Sequence, residues 1–521
     1  MRKILLGTTA VVGLALLAPV ANAQQARPAA RPAAAPAAPP PLPATSVAPT
    51  GTAAAIFQTP VGITGAGPHG ADGIPNRPTT PTTSGIIVRL GGFFDFSMGN
   101  VSDSSDGAYF RNNVVPLTFG TNGVVNNNFT ATPLPTNAKG RQRNDFRTEA
   151  ELNIYADGVA ANGMRYGAVF EFQMDNVTTP AGQGSGTGVD FDELYGFVKG
   201  SWGELRFGQE DSAAALMQVR RPSVLWMGTD DAWDEFVVNQ PGGAPYVMSG
   251  MNDGSDITKI IYLSPQFAGF DVGVSYAPNA FEGENFLNPT STTAFQRDFT
   301  GLTNQITGAI RYRGTFGDFG VQTSFVAAWA DAPKSAASGA DLVNKPQNIT
   351  AYSAGLVVRA YGFAVGGEYT WGNYNGSAPG NAALNKGLDG SNHWIGSGTY
   401  TIGALSLGAM YGKGTQDNGT SSGNAVGGFG GVAGARLEDR EQTYLGFGVA
   451  YVLAPGMTLF ANYNQIQDKN IPLNGASVNS AGTGAVAAGA AGAGTTLARF
   501  NSTGSTTRDI TVLVAGVRVA F

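Results

Sequence analysis

The chain has 521 residues, a formal net charge of −6, 74 glycines, no cysteine and only two histidines, His69 and His393. Without cysteine there are no disulfide frameworks, thiol nucleophiles or cysteine-ligated zinc, and two histidines leave little material for a metal cluster or a general base. The acidic balance argues against nucleic acid as a partner, while the length, the glycine content and 10% aromatic residues point to an all-β fold.

Arg2 and Lys3 precede an apolar run from Ile4 to Val20, followed by Ala21, Asn22 and Ala23 in a small-x-small cleavage pattern. Residues 1–23 therefore read as a secretory signal peptide, because the run is short and is broken by Gly7, Gly13 and Pro19. No other segment offers about eighteen uninterrupted apolar residues, which excludes a helical membrane protein. Residues 24–84 open with "QQARPAARPAAAPAAPPPLPATSVAPT" and show no hydrophobic period, so a disordered Pro/Ala-rich periplasmic tail is expected there.

From residue 85 onward the chain reads as strands. Met164, Tyr166, Ala168, Phe170, Phe172 and Met174 alternate with Arg165, Gly167, Val169, Glu171, Gln173 and Asp175, giving one wholly apolar face. Phe146–Ala156 and Tyr361–Trp371 repeat the pattern, with Arg147, Glu149, Glu151 and Asn153 on the polar face of the first and Glu368 on that of the second. In chain order the expected strands are 85–98, 146–156, 163–175, 190–199, 202–209, 256–264, 268–277, 305–314, 318–330, 350–360, 361–372, 392–401, 403–412, 441–452, 456–466 and 507–521.

Connections after the even-numbered strands are tight, as in "KGSWG", "GTFGD" and "LAPGM". Those after the odd-numbered strands are long, near 99–145, 176–189, 210–255, 278–304, 331–349, 373–391, 413–440 and 467–506. Short turns at one rim and long loops at the other describe an antiparallel meander between two compartments. An even strand number lets the first and last strands pair, and lipid offers no water to satisfy an open edge. A soluble sandwich or propeller would carry charged outward faces, whereas these are Phe, Tyr, Trp, Leu, Val and Ala. The expected fold is an all-β transmembrane antiparallel barrel of 16 strands over 85–521, wide enough for an aqueous bore. Its last strand, "RDITVLVAGVRVAF", is expected to put Phe521, Val519 and Val517 on the lipid face at the periplasmic rim.

Three stretches resemble the general porins of Gram-negative bacteria, above all the α-proteobacterial type: "WGELRFGQEDSA" at Trp202–Ala213, "IIYLSPQFAGFDVGVSYAP" at Ile260–Pro278, and the terminal strand closing on Phe521. The resemblance implies an outer-membrane homotrimer in which each barrel has its own pore and the third long loop folds inward. It also implies that the terminal aromatic, Phe521, is recognised by the outer-membrane assembly machinery. The implied activity is passive diffusion of small hydrophilic solutes and ions, without turnover or cofactor. The alternatives are a substrate-selective outer-membrane channel and a barrel-type hydrolase. The hydrolase needs a nucleophile with a base, for which only His393, read as a loop-edge residue, is at hand.

Independently of the resemblance, the third long connection mixes charge with aromatics. Glu210, Asp211, Asp230, Asp231, Asp234, Glu235 and Asp253 face only Arg220 and Arg221, a net −5, while Leu225, Trp226, Met227, Trp233 and Phe236 give apolar mass to pack against a wall. Inward parity assigns Arg147, Arg165, Arg206, Arg311, Arg359 and Arg518 to the pore wall. Loop acids opposite wall arginines would set a transverse field across an aqueous constriction, with a modest preference for cations. The hard oxygens of "TDDAWDE" and "MNDGSD" also suit calcium, although neither has the spacing of a dedicated calcium loop.

Overall fold

The computed structural model describes residues 85–104, 142–175, 190–229, 233–237, 248–251, 257–279, 302–332, 347–374, 389–417, 439–470 and 507–521. The expected signal peptide (1–23) and tail (24–84), and Asp230, Asp231 and Asp253, lie outside these residues.

Sixteen strands follow in order: β1 Ile87–Asp103, β2 Asn144–Val159, β3 Arg165–Asp175, β4 Asp190–Gly200, β5 Gly203–Gln209, β6 Thr258–Leu263, β7 Phe270–Asn279 and β8 Thr303–Phe316. The second half comprises β9 Phe319–Asp331, β10 Ile349–Ala360, β11 Phe363–Asn373, β12 Ser391–Ile402, β13 Leu405–Gln416, β14 Arg440–Ala454, β15 Met457–Lys469 and β16 Arg508–Ala520. Each pairs antiparallel with its sequence neighbours, and β16 pairs with β1 to close the barrel. Closure leaves the sheet no open edge, which a wall in a hydrocarbon slab must avoid.

The period of two decides which face is which. In β2, Glu149, Glu151, Asn153, Tyr155 and Asp157 are buried on one face, while the alternate face presents Phe146, Ala150, Leu152 and Ile154. The outward face carries aromatic belts at both rims. Beside the short turns, rings pair as Trp202 with Tyr262, Phe270 with Tyr312, Phe319 with Tyr361 and Phe363 with Tyr400. Beside the long connections, Phe96 meets Phe146, Trp394 meets Tyr411, and Tyr352, Phe325 and Tyr369 gather around Trp371. Two girdles around an apolar band are the signature of a wall standing in a bilayer.

Turn chemistry fixes the tight rim. The β10–β11 hairpin is closed by Tyr361 and Gly362, both at positive φ (52° and 83°), the backbone of a two-residue turn whose twist matches the strands. β1 ends later than the sequence pattern suggests, and polarity is the reason. β1 runs to Asp103 rather than 98 because its inward alternation continues through Val101 and Asp103, whereas outward Asn100 and Ser102 are polar and break the apolar pattern. His393 sits within β12 on the inward face, fully buried, instead of at a loop edge.

Candidate functional site: the inner wall and the third long connection

The connection between β5 and β6 is built to lie against the inner wall. It starts with Ser212, whose Oγ caps the short helix α1 (Ala213–Met217) by accepting from the Ala215 N–H at 3.2 Å. The remaining free N–H groups of that turn find wall hydroxyls: Ala213 donates to Ser275 Oγ of β7 and Ala214 to Thr307 Oγ1 of β8, each at 3.2 Å. Past the helix, the Val219 N–H donates to Ser324 Oγ of β9 at 2.7 Å and Gln218 Nε2 to Ser353 Oγ of β10 at 3.1 Å. Arg221 then reaches Glu368 of β11 (Nη1 to Oε1, 3.0 Å), and Ser397 of β12 donates to the Pro222 carbonyl. Asn462 of β15 donates to the Leu225 carbonyl at 2.9 Å, and Trp226 Nε1 donates to Asp95 Oδ2 of β1 at 2.6 Å. Finally Glu235, in a 3₁₀ turn at Asp234–Phe236, stands 3.6 Å from Arg147 of β2. All these wall groups have inward parity, so the connection runs round the inside of the barrel.

Glycines make room along the track. A Cβ placed on Gly355 of β10 would lie 1.7 Å from the Val219 carbonyl oxygen, and one on Gly99 of β1 would lie 2.4 Å from the Phe236 ring. Gly273, Gly408 and Gly448 receive Met217, Val224 and Met227 in the same way. Between these seats Val224, Leu225, Met227, Trp233 and Met248 form one apolar cluster with inward Ile395, Met410, Tyr444, Phe460, Val512 and Val514. The inward residues Ile510, Val512 and Val514 of β16 are therefore apolar because protein, not water, covers them.

The wall arginines are mostly paired on the wall itself. Arg518 forks onto Asp95 (2.8 and 2.6 Å), with its guanidinium carbon 3.9 Å from the Phe93 ring centre and 4.6 Å from that of Trp226. Arg311 reaches Asp271 at 2.6 Å, Arg359 donates to Gln322 at 2.8 Å, and Arg147 holds Glu149 at 2.6 Å beside its contact with Glu235. Arg206, buried, bridges Glu204 at 2.9 Å and Glu210 of the third connection. Arg165 lies opposite Lys199 in the β3–β4 register. Of the expected loop acids, Glu210 is buried at that bridge, Asp211 and Asp234 are half-buried, and Glu235 is exposed.

One pairing of opposite sense was not anticipated: Arg220 and Arg221, the two cations of the connection, both meet wall Glu368, at 3.6 and 3.0 Å. The glycine seats were also missed. Their signal in the sequence is glycine at an inward parity position, which period-two reading treats as neutral. Polar track, apolar packing and ion pairs together make the third connection a lining to the inner face of a barrel whose outside is apolar.

A family model described as Gram-negative porin matches residues 8–471. No curated protein matches the chain. Among solved structures it is similar to an anion-selective porin from Comamonas acidovorans, at 14% identity and a TM-score of 0.44 over 84% of this chain and 100% of that one. It is similar also to a loop L8 deletion mutant of OmpT, an outer membrane protein of Vibrio cholerae (11%, 0.43, 84% and 100%), and to the outer membrane channel DcaP of Acinetobacter baumannii (9%, 0.42, 85% and 99%). With its closed sixteen-stranded wall and a family match over most of its length, the chain belongs to the Gram-negative porins, outer-membrane channels for the passive diffusion of solutes.

Proposed function

We propose that this channel passes small hydrophilic solutes and ions through a constriction set by the third long connection, with a modest preference for cations. The observation that carries the reading is the series of attachments between Ala213 on β7 and Glu235 on β2, all to inward side chains. Most of the positive charge of the wall is taken up locally by wall carboxylates. Arg220 and Arg221 are likewise engaged with Glu368. The surplus carboxylates of the connection then dominate the potential within roughly a Debye length, about 8 Å at physiological salt.

Neutralising Asp230, Asp231, Asp234 and Glu235 together is expected to move the reversal potential in a salt gradient toward anions, by an amount that shrinks as salt rises. Unchanged selectivity at low salt would sink the reading. The mature protein, after removal of residues 1–23, is further proposed to associate as a homotrimer through outward apolar side chains. An SDS-resistant, heat-dissociable band near three times the monomer mass is the expected result. A strictly monomeric particle in mild detergent would contradict it.

A further inference from the structure

We propose that the inner wall of β2–β4 holds a divalent cation of the calcium class, ligated by the carboxylates of Glu151, Glu171 and Asp192 and by the side-chain oxygen of Asn153. This site is separate from the acidic stretches of the third connection.

One carboxylate oxygen from each of the three acids lies within 4.8 Å of the other two. Oxygens opposed across a bound Ca²⁺ stand about 4.6–5.2 Å apart, twice the usual metal–oxygen distance, so the three fit around one ion. Strand register explains their meeting. Glu151 and Asn153 are successive inward residues of β2, and Asn153 lies directly opposite Glu171 on β3. Between β3 and β4 the register slips: Phe170 faces Leu194 but Phe172 faces Phe191, so β4 carries one residue too many at Asp192 and Glu193. Such a bulge re-aims a side chain, and here Asp192 joins the inward group.

Asn153 supplies an independent observation. It is 1% exposed, and its Nδ2 donates to Glu151 Oε1 at 2.6 Å. Its Oδ1 has no hydrogen-bond partner. A buried amide oxygen with no protein donor, held beside carboxylates, is suited to a cation. Glu151 also differs from many buried acids of the wall. Asp95, Asp103, Asp157, Asp271 and Asp468 each hold a guanidinium within 3 Å, as does Glu149, whereas Glu151 meets the Asn153 amide and the Glu171 carboxyl group. All four donors are hard oxygens with no imidazole or thiolate among them, which favours calcium over transition metals. The half-buried Asp192 gives the ion a way in from the lumen.

The test is Ca²⁺ binding to the full-length, chelator-stripped protein in detergent, measured by equilibrium dialysis with radioactive calcium. One ion per chain is expected, with Glu151→Gln and Asp192→Asn each weakening binding more than ten-fold. The fourfold neutralisation of the third connection should leave it intact. Heat-modifiable migration confirms that each variant is folded; should Glu151→Gln fail to fold, Asp192→Asn at its half-buried position decides. No binding at about 1 mM Ca²⁺, the weak end of calcium modules, would overturn the site. So would binding that survives both wall substitutions or disappears with the loop acids. Because the measurement needs no conductance, its result stands apart from that of the selectivity test.

Discussion

Gly355 acts through what it lacks. Its missing Cβ admits the Val219 carbonyl to a spot that any other residue would fill, so Gly355→Val is expected to lift the third connection off β10. Overpacking of this kind costs about 1–3 kcal/mol. Thermal unfolding should record that loss, and single-channel recording should show an altered, noisier conductance. Gly308→Val, on the outward face of β8 where an added Cβ meets nothing nearer than 3.9 Å, is the control. Equal behaviour of the two variants would dismiss the seat. Trp226 makes a complementary case: it takes a positive φ of 58°, uncomfortable for a bulky residue, and is held there by Arg518 under its ring and Asp95 at its Nε1. Parity showed in the sequence that Arg518 faces inward, and composition showed that Trp226 wants a wall. Neither could show that they meet, because alternation names the face of a residue and not its neighbour.

Strands were the legible elements. Met164 to Met174 announce their two faces residue by residue, and the inward set predicted for β2 is the set observed. Less legible were the ends that project past the apolar band, where outward Asn100 and Ser102 look like loop, and the bulge at Asp192 and Glu193, which shifts the phase by one. Cross-strand ion pairs also escaped, since they depend on register. They differ greatly in what they contribute. Arg508 and Asp103 join the closing strands at 2.5 Å with side chains no more than 1% exposed, whereas Lys413 and Glu441 are 39% and 42% exposed at 2.8 Å. Asp103→Ala removes one partner of a buried ion pair and is expected to cost about 3–5 kcal/mol. Glu441→Ala, in water on the same kind of ladder, should cost about 0–1 kcal/mol. Denaturant unfolding of the two variants in detergent gives the comparison, and similar losses would contradict it.

At the level of the molecule, closure followed from an even strand count, and the inward fold of the third connection was expected from the resemblance and from its apolar residues, but its individual seats on the wall were not, because a segment without a period does not show which strand each residue meets. The closing seam ends in two backbone hydrogen bonds of 3.1 Å, Phe521 N–H to the Gly92 carbonyl and Gly92 N–H to that of Phe521. The Phe521 ring stays outside, 67% exposed. Removing Phe521 is therefore expected to lower the yield of folded, membrane-inserted barrel while leaving the conductance of inserted molecules unchanged. Equal yield in an outer-membrane fractionation would show that the last residue has no part in assembly. The inner circuit of the third connection has a mechanical consequence. A single-layered wall flattens easily, because bending across its ladders stretches no bond. A chain fastened inside from β7 to β12 and again on β15, β1 and β2 acts as a hoop, and to make the barrel oval that hoop must slide over its seats or pull free of them. Its span is limited to about 3.3–3.6 Å per residue, so lateral pressure from the bilayer reaches the aperture only after the hoop has yielded.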